Sequence, residues 1–302
     1  MRTFSLLVLA LFILSNGNAQ NTITDTTATV LAYFKKGDSA KYSLAIAHER
    51  YQDGKKYSTA SLVYDLNISI ADETDSNYII YCTYSKIKAN EGAGGNPIVI
   101  NIGKVVEGST FKYSTDAGGQ IKRLLNYNEV STFMNKTLVE LTKTSDDKRV
   151  QLVFEQIKKA LATEKGVQEL LMKDVQLLHA VYGSRYTLQK KITAETLLPN
   201  LLGGNPFPAI FTIEMTKLDT LHKTCTITFD QALDIVKIKK ELTDFLDKKE
   251  MLPHSQLPGM DISDHYSFNV DLVTGWMNKI LYTRTATENG NTTIELHEII
   301  KL

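Results

Sequence analysis

The sequence predicts an α+β fold: two related antiparallel β-sheet lobes with amphipathic helices packed on them. Three observations lead there. Tyr-, Ile- and Val-rich runs such as LVYDLNISI and YIIYCTYSKI are bounded by turn residues, the composition of half-buried strands. Between Glu129 and Tyr182 the apolar period changes to that of helices. Strand-like runs then resume and carry markers matching those of the first half.

Those markers test for duplication. KYSL (Lys41–Leu44) recurs as RYTL (Arg185–Leu188), 144 positions on, and Cys82 in YCTYS recurs as Cys225 in TCTIT, 143 positions on. FKYSTDAGGQIKRLL matches YSFNVDLVTGWMNKIL, aligning Asp116 with Asp271. Three ordered pairs predict one unit used twice. The expected division is residues 1–19 as a signal peptide, 20–145 as an N-terminal β-rich lobe, 146–183 as a helical connector and 184–302 as a C-terminal β-rich lobe with an inserted helix.

Each element has its own signal. Arg2, the apolar run Phe4–Leu14 and the small residues Gly17 and Ala19 describe a secretory signal peptide cut near Ala19. The run is shorter than the ~20 residues of a spanning helix. Thr29–Lys36 is expected as a short helix stopped by Gly37. Asp53-Gly54 marks a hairpin, AGGQ in 117–120 a second and Asn289-Gly290 a third. Three helical stripes follow: Val130, Phe133, Met134, Leu138 and Leu141; Val150, Val153, Phe154, Ile157 and Leu161; Val167, Leu170, Leu171, Val175 and Leu178. Such stripes are core seams. A further helix is expected over 230–250, using Ala232, Ile235, Val236, Leu242, Phe245 and Leu246.

Composition narrows function. The chain has 302 residues, with 34 Lys plus Arg against 34 Asp plus Glu. No basic field exists to hold a phosphate backbone, so no nucleic-acid partner is expected. Cys82 and Cys225 are expected as free buried thiols, placed in separate sheets beyond the ~7 Å reach of a disulfide. No HExxH, CxxC, GxSxG or P-loop occurs, so the expectation is a non-enzymatic protein without a cofactor.

Two clusters remain as candidate sites. HSQLPGMDISDH brings His254, Asp261, Asp264 and His265 close in sequence, a weak candidate metal or hydrolase site whose spacing matches no ligand pattern. LLPNLLGGNPFP places Leu197, Leu198, Leu201, Leu202 and Phe207 in or beside a Pro/Gly-rich loop. Apolar loop residues cover a core or line a ligand rim.

Lys35-Lys36-Gly37-Asp38, Tyr42, Leu44 and the run Tyr113–Ile121 resemble an uncharacterised group of secreted Gram-negative envelope proteins, a domain of unknown function. Those proteins open with KKGD and continue as curved antiparallel sheets followed by helices. The resemblance implies a lipoprotein-carrier-like architecture, in which a curved sheet wraps apolar helices, and a secreted or periplasmic location. The sheet-plus-helix pattern and the apolar loop at 197–207 lead to the expectation of a lipid-like or apolar ligand between sheet and helices, with an envelope protein partner as the alternative, and no later stretch is long and apolar enough to span a bilayer. Asp25-Thr26-Thr27, Asp38-Ser39-Ala40 and Asp219-Thr220-Leu221 resemble the O-glycosylation triplets of such bacteria.

Overall fold

A computed structural model describes residues 23–91, 107–142, 148–198, 207–235, 237–238, 260–288 and 290–302. Eleven strands form one antiparallel sheet. The first half is a meander: β2 (Ser39–Gln52), β3 (Lys55–Glu73), β4 (Asn77–Glu91), β5 (Thr110–Asp116) and β6 (Ile121–Leu124). The second half is another: β8 (Ile192–Leu198), β9 (Phe207–Asp219), β10 (Thr224–Leu233), β11 (Met260–Asp271), β12 (Met277–Glu288) and β13 (Asn291–Lys301). The spatial order is β6-β5-β4-β3-β2-β13-β12-β11-β10-β9-β8. The halves expected as separate sheets are therefore fused, through the β2–β13 ladder from Tyr42↔Lys301 to Gln52↔Asn291. β1 (Thr27–Val30) and β7 (Ser184–Thr187) make a separate two-stranded ribbon.

The turns are those the sequence marks. Asp53 and Gly54 both have positive φ, 49° and 75°, the geometry of a tight hairpin matched to strand twist. Asp116 and Asp271 each open a turn: the side chain accepts a downstream backbone N–H, from Gln120 at 2.9 Å and from Val273 at 2.8 Å.

The helices follow as α1 (Tyr127–Thr142), α2 (Lys148–Leu161), α3 (Glu164–Leu171) and α4 (Lys173–His179). Val130, Met134, Leu138, Phe154, Leu161, Val167, Leu171, Val175 and Leu178 are buried as the stripes predict, whereas Phe133 and Leu170 are exposed. Three tyrosines on neighbouring strands anchor this layer by their hydroxyls. Tyr64 on β3 donates to Asp174 at 2.5 Å, and Tyr84 on β4 donates to the Leu171 carbonyl at 3.1 Å. Tyr113 on β5 bonds His179 Nε2 at 2.9 Å. Each ring buries apolar area while its hydroxyl meets the partner burial demands.

Three expectations are corrected. Thr29–Lys36 contains no helix: β1 and the extended chain after it bury Ala28, Val30, Ala32 and Phe34 at alternate positions, a strand period that the Gly37 stop signal obscured. The 230–250 helix does not begin at 230. β10 runs to Leu233, and only Ile238 N–H closing on the Asp234 carbonyl, at 2.9 Å, gives a helical turn; 239–250 lie outside the described residues. RYTL does not open β8, because Arg185–Thr187 pair with β1. Cys82 and Cys225 are free and buried as expected, but in one sheet, six strands apart.

The Ala32–Phe34 segment shows how strongly the sheet curves. The turn after β5 and the turn after β11 lie six strand spacings of roughly 4.8 Å apart along the sheet. Both nevertheless touch Ala32. A Cβ on Gly119 would lie 2.8 Å from the Ala32 Cβ, and one on Gly275 would lie 3.0 Å from its Cα. Ala32 N–H donates to the Gly118 carbonyl at 3.1 Å. Phe34 then stacks on Trp276 at 4.2 Å and meets Tyr78 and Tyr182 edge-on. Tyr182 also donates its hydroxyl to the Gly275 carbonyl. One end of the curved sheet is thus drawn in and plugged.

Gly275 has φ +78°, and an added Cβ would meet backbone atoms, Leu31 O at 2.5 Å and Tyr33 N at 2.8 Å. Gly290 has a similar φ, +82°, but meets only the Asp53 carboxylate at 3.4 Å. In urea denaturation, Gly290→Ala is expected to cost about 1 kcal/mol, the conformational penalty alone. Gly275→Ala is expected to cost at least about 3 kcal/mol, because backbone must move as well. Equal losses would show that the plug is not tightly packed.

Candidate functional site

Cross-strand register arranges the concave face in rows, because strand side chains alternate faces and directly opposed residues share one. The innermost row, Met215, Ile227, Phe268, Ile280, Ile299, Leu44 and Tyr64, is buried and apolar apart from the tyrosine hydroxyl. The next row spans eight strands as Ile192, Ile213, Phe229, Tyr266, Tyr282, His297, Ile46 and Leu62. Toward the open end lies Ala194, Phe211, Gln231, Asp264, Arg284, Glu295, His48 and Ala60. The apolar ladder therefore turns into a polar stripe within two residues along each central strand.

The helices cover this face unevenly. On the side of β12, β13, β2 and β3, α4 lies over it: Lys173 sits 4.7 Å above the Tyr282 ring and pairs with Glu295 at 2.9 Å. Toward β8 no described helix lies over the ladder. Ile213, Phe229 and Tyr266 are half-buried, and Ile192 is 46 % exposed.

The polar groups form two linked clusters. Arg284 grips Asp264 through two nitrogens at 2.7 and 2.8 Å, and Tyr282 adds its hydroxyl at 3.2 Å. This fork geometry is the strong form of a charge pair. His297 lies between two carboxylates, with Nε2 2.6 Å from Glu295 and Nδ1 3.5 Å from Asp174. The second contact is an ion pair rather than a hydrogen bond, since neither Asp174 Oδ1 nor His297 Nδ1 has a hydrogen-bond partner.

These surroundings set the charge states. Burial opposes ionisation of His297, yet Asp174 and Glu295 outweigh it and raise its pKa. Burial likewise works against a charged Glu295, but hydrogen bonds from His297 and Lys173 hold its carboxyl well below the usual range. His48 is lowered, first by burial and then by His297, Lys173 and Arg50, against the opposing pull of Glu295. The His297 contribution is thus full below pH 6.5 and lost as pH rises through its raised pKa.

The residues singled out from sequence are scattered by the fold. Asp264 faces inward and is buried in the Arg284 pair. Its neighbour His265 points outward, where it meets Asp230 at 2.6 Å, and Asp261 shares that outer face by alternation. Strand geometry therefore divides the HSQLPGMDISDH cluster between two faces. His254 lies outside the described residues. Among those described, no group of three His, Cys, Asp or Glu is placed to hold a metal ion. Leu197 is 63 % exposed on the outer face of β8, whereas Phe207 packs inward near Ala209, Leu233 and Ile238. Leu198 ends the β8 ladder opposite Phe207, and Leu201 and Leu202 lie outside the described residues. The thiols offer no nucleophile: burial pushes Cys225 up to about 12 and Cys82 well above its ordinary value.

Sequence reading missed His297, Glu295, His48, Lys173, Asp174 and Arg284. A signal was present. His48 lies in phase with Leu44 and Ile46, and Glu295 and His297 in phase with Ile299, polar residues on the strand positions that point to the core.

No protein-family profile and no curated protein matches this chain. Among the described residues no helix is long and apolar enough to cross a membrane.

His179 reports separately on packing. Its Nδ1 donates to the Gly119 carbonyl at 2.6 Å, so Nε2 accepts from Tyr113 at 2.9 Å. The neutral ring satisfies both nitrogens, and burial lowers its pKa to about 4. The unfolded chain takes up this proton near pH 6.5 and the folded one does not. Stability should therefore fall by on the order of 3 kcal/mol as pH drops from 6.5 to about 4. Urea midpoints across that window should slope less for His179→Gln than for the wild type. Parallel slopes would show that His179 is already charged when folded.

Proposed function

We propose that this is a non-enzymatic secreted or periplasmic protein that binds an apolar or amphipathic ligand on the partly exposed part of the concave face toward β8. The observation that carries this reading is the partly exposed ladder Ile192, Ile213, Phe229 and Tyr266, lying beside the polar stripe. A soluble chain normally covers such an inward-facing apolar row. Here α4 covers the opposite end of the row instead. Of the expected 197–207 rim, Leu197 faces outward and Phe207 inward, so the reading rests on these strands. The hydrolase reading loses its motivating cluster, whose members Asp264 and His265 point to opposite faces.

A second reading, an envelope interaction module, draws on the convex face. There Val63, Leu281, Leu296 and Ile300 are exposed among hydroxyl residues.

Internal duplication belongs with this reading of architecture. It is supported by the inward Cys82 and Cys225 on the middle strands of successive meanders, and by the matching Asp116 and Asp271 turns. The KYSL and RYTL pair does not support it, because Tyr42 lies in the large sheet and Tyr186 in the ribbon.

The neutral probe N-phenyl-1-naphthylamine should bind with a blue-shifted, enhanced emission. Phe229→Asp should weaken binding at least tenfold, while the exposed convex change Leu296→Asp should leave it unaltered. Phe229 is half-buried, so circular dichroism should show the variant folded. Probe binding lost with Leu296→Asp and retained with Phe229→Asp would transfer the site to the convex face.

A further inference from the structure

Building on that reading, we infer that the groove takes a single-chain amphiphile with an anionic headgroup, the head set against Lys173, Arg50 and Arg284. The basis is layering of charge. The acids of the polar stripe are recessed: the Asp264 side chain is 1 % exposed and that of Glu295 20 %. The bases stand in front of them. Arg284 is 35 % exposed and Lys173 43 %, while Arg50 is exposed one rung further out, on the same face, opposite Thr293. Asp174, the remaining acid, is buried behind Lys173 against Tyr64 and His297. A ligand approaching from the open side meets cations first.

The balance of charge agrees. With His297 protonated, four cations (Lys173, Arg50, Arg284 and His297) face three carboxylates (Asp174, Asp264 and Glu295). His48, lowered first by burial, feels both signs of this layer: Glu295 favours its proton, while His297, Lys173 and Arg50 disfavour it. Two further acids hold positions at the margins of this face: Glu91 stands opposite Ala60 at the far end of the stripe, and Glu288 lies two residues beyond Ala286 toward the strand ends. A recessed pair still leaves its outward cation able to accept a further anion, because Lys173 carries three donors and Arg284 five.

The apolar ladder suits one chain. From β8 to β11 it crosses three strand spacings, roughly 14 Å, enough for an alkyl tail of about a dozen carbons. Its half-buried members Ile213, Phe229 and Tyr266 are contiguous in register, and Tyr266 stacks on Tyr282 at 4.6 Å beside Lys173. Tail and head positions therefore adjoin along one row.

Three dodecyl probes test this on the full chain by calorimetry below their micelle concentrations: laurate, dodecyl maltoside and dodecyltrimethylammonium. Laurate should bind at least tenfold tighter than either of the others. Raising NaCl from 50 to 500 mM should weaken laurate several-fold and dodecyl maltoside hardly at all, as screening requires. Arg50→Gln, at an exposed position, and Lys173→Gln should each cost laurate about three- to tenfold and spare the maltoside. Equal affinity for laurate and maltoside, or preference for the cationic probe, overturns the anionic headgroup while leaving the groove. Failure of all three probes to bind removes the groove reading itself.

Discussion

Curvature is the constraint on which the rest of this molecule depends. A flat eleven-stranded antiparallel sheet would expose one whole apolar face. Here the two hairpin turns at Gly119 and Gly275 converge on Ala32, and Phe34 packs between Trp276, Tyr78 and Tyr182. That contact draws in one end of the sheet, so the inward side chains of both halves enter one core. It also lets the four helices found among the described residues pack against side chains from both halves.

Apolar burial holds the helical layer on the sheet, and directed bonds at its inner edge fix its position. Tyr64, Tyr84 and Tyr113 reach from three adjacent strands to Asp174, the Leu171 carbonyl and His179. Apolar packing tolerates sliding of a helix over a sheet; three hydroxyls with fixed partners do not. The price is buried charge at Asp174 and His297, offset by pairing with each other and with Glu295 and Lys173. This arrangement pins α4 over one end of the central row, and among the described residues no helix lies over the other end, toward β8.

Much of the fold was legible in sequence because its signals are local. Hairpin dipeptides, the Asp116 and Asp271 turns and the helical seams through Val130, Met134 and Leu138 depend on neighbours a few residues away. What failed depended on distant partners. The Ala28–Phe34 segment alternates like a strand, but nothing local says that two hairpins will close around it. RYTL carries a strand composition without naming its partner, and β1 claims it. The candidate site failed for a related reason. Asp264 and His265 are adjacent in sequence and opposite in space, whereas Glu295, Arg284 and Asp264 are distant in sequence and directly opposed across strands.

The central claim is that the partly exposed concave ladder, and not the convex face, receives the ligand. A photoactivatable diazirine analogue of a dodecyl fatty acid, crosslinked to the protein and mapped by mass spectrometry, tests it most directly. The account predicts labels on the Ile192, Ile213, Phe229 and Tyr266 side. Labels concentrated at Val63, Leu281, Leu296 and Ile300 would contradict it.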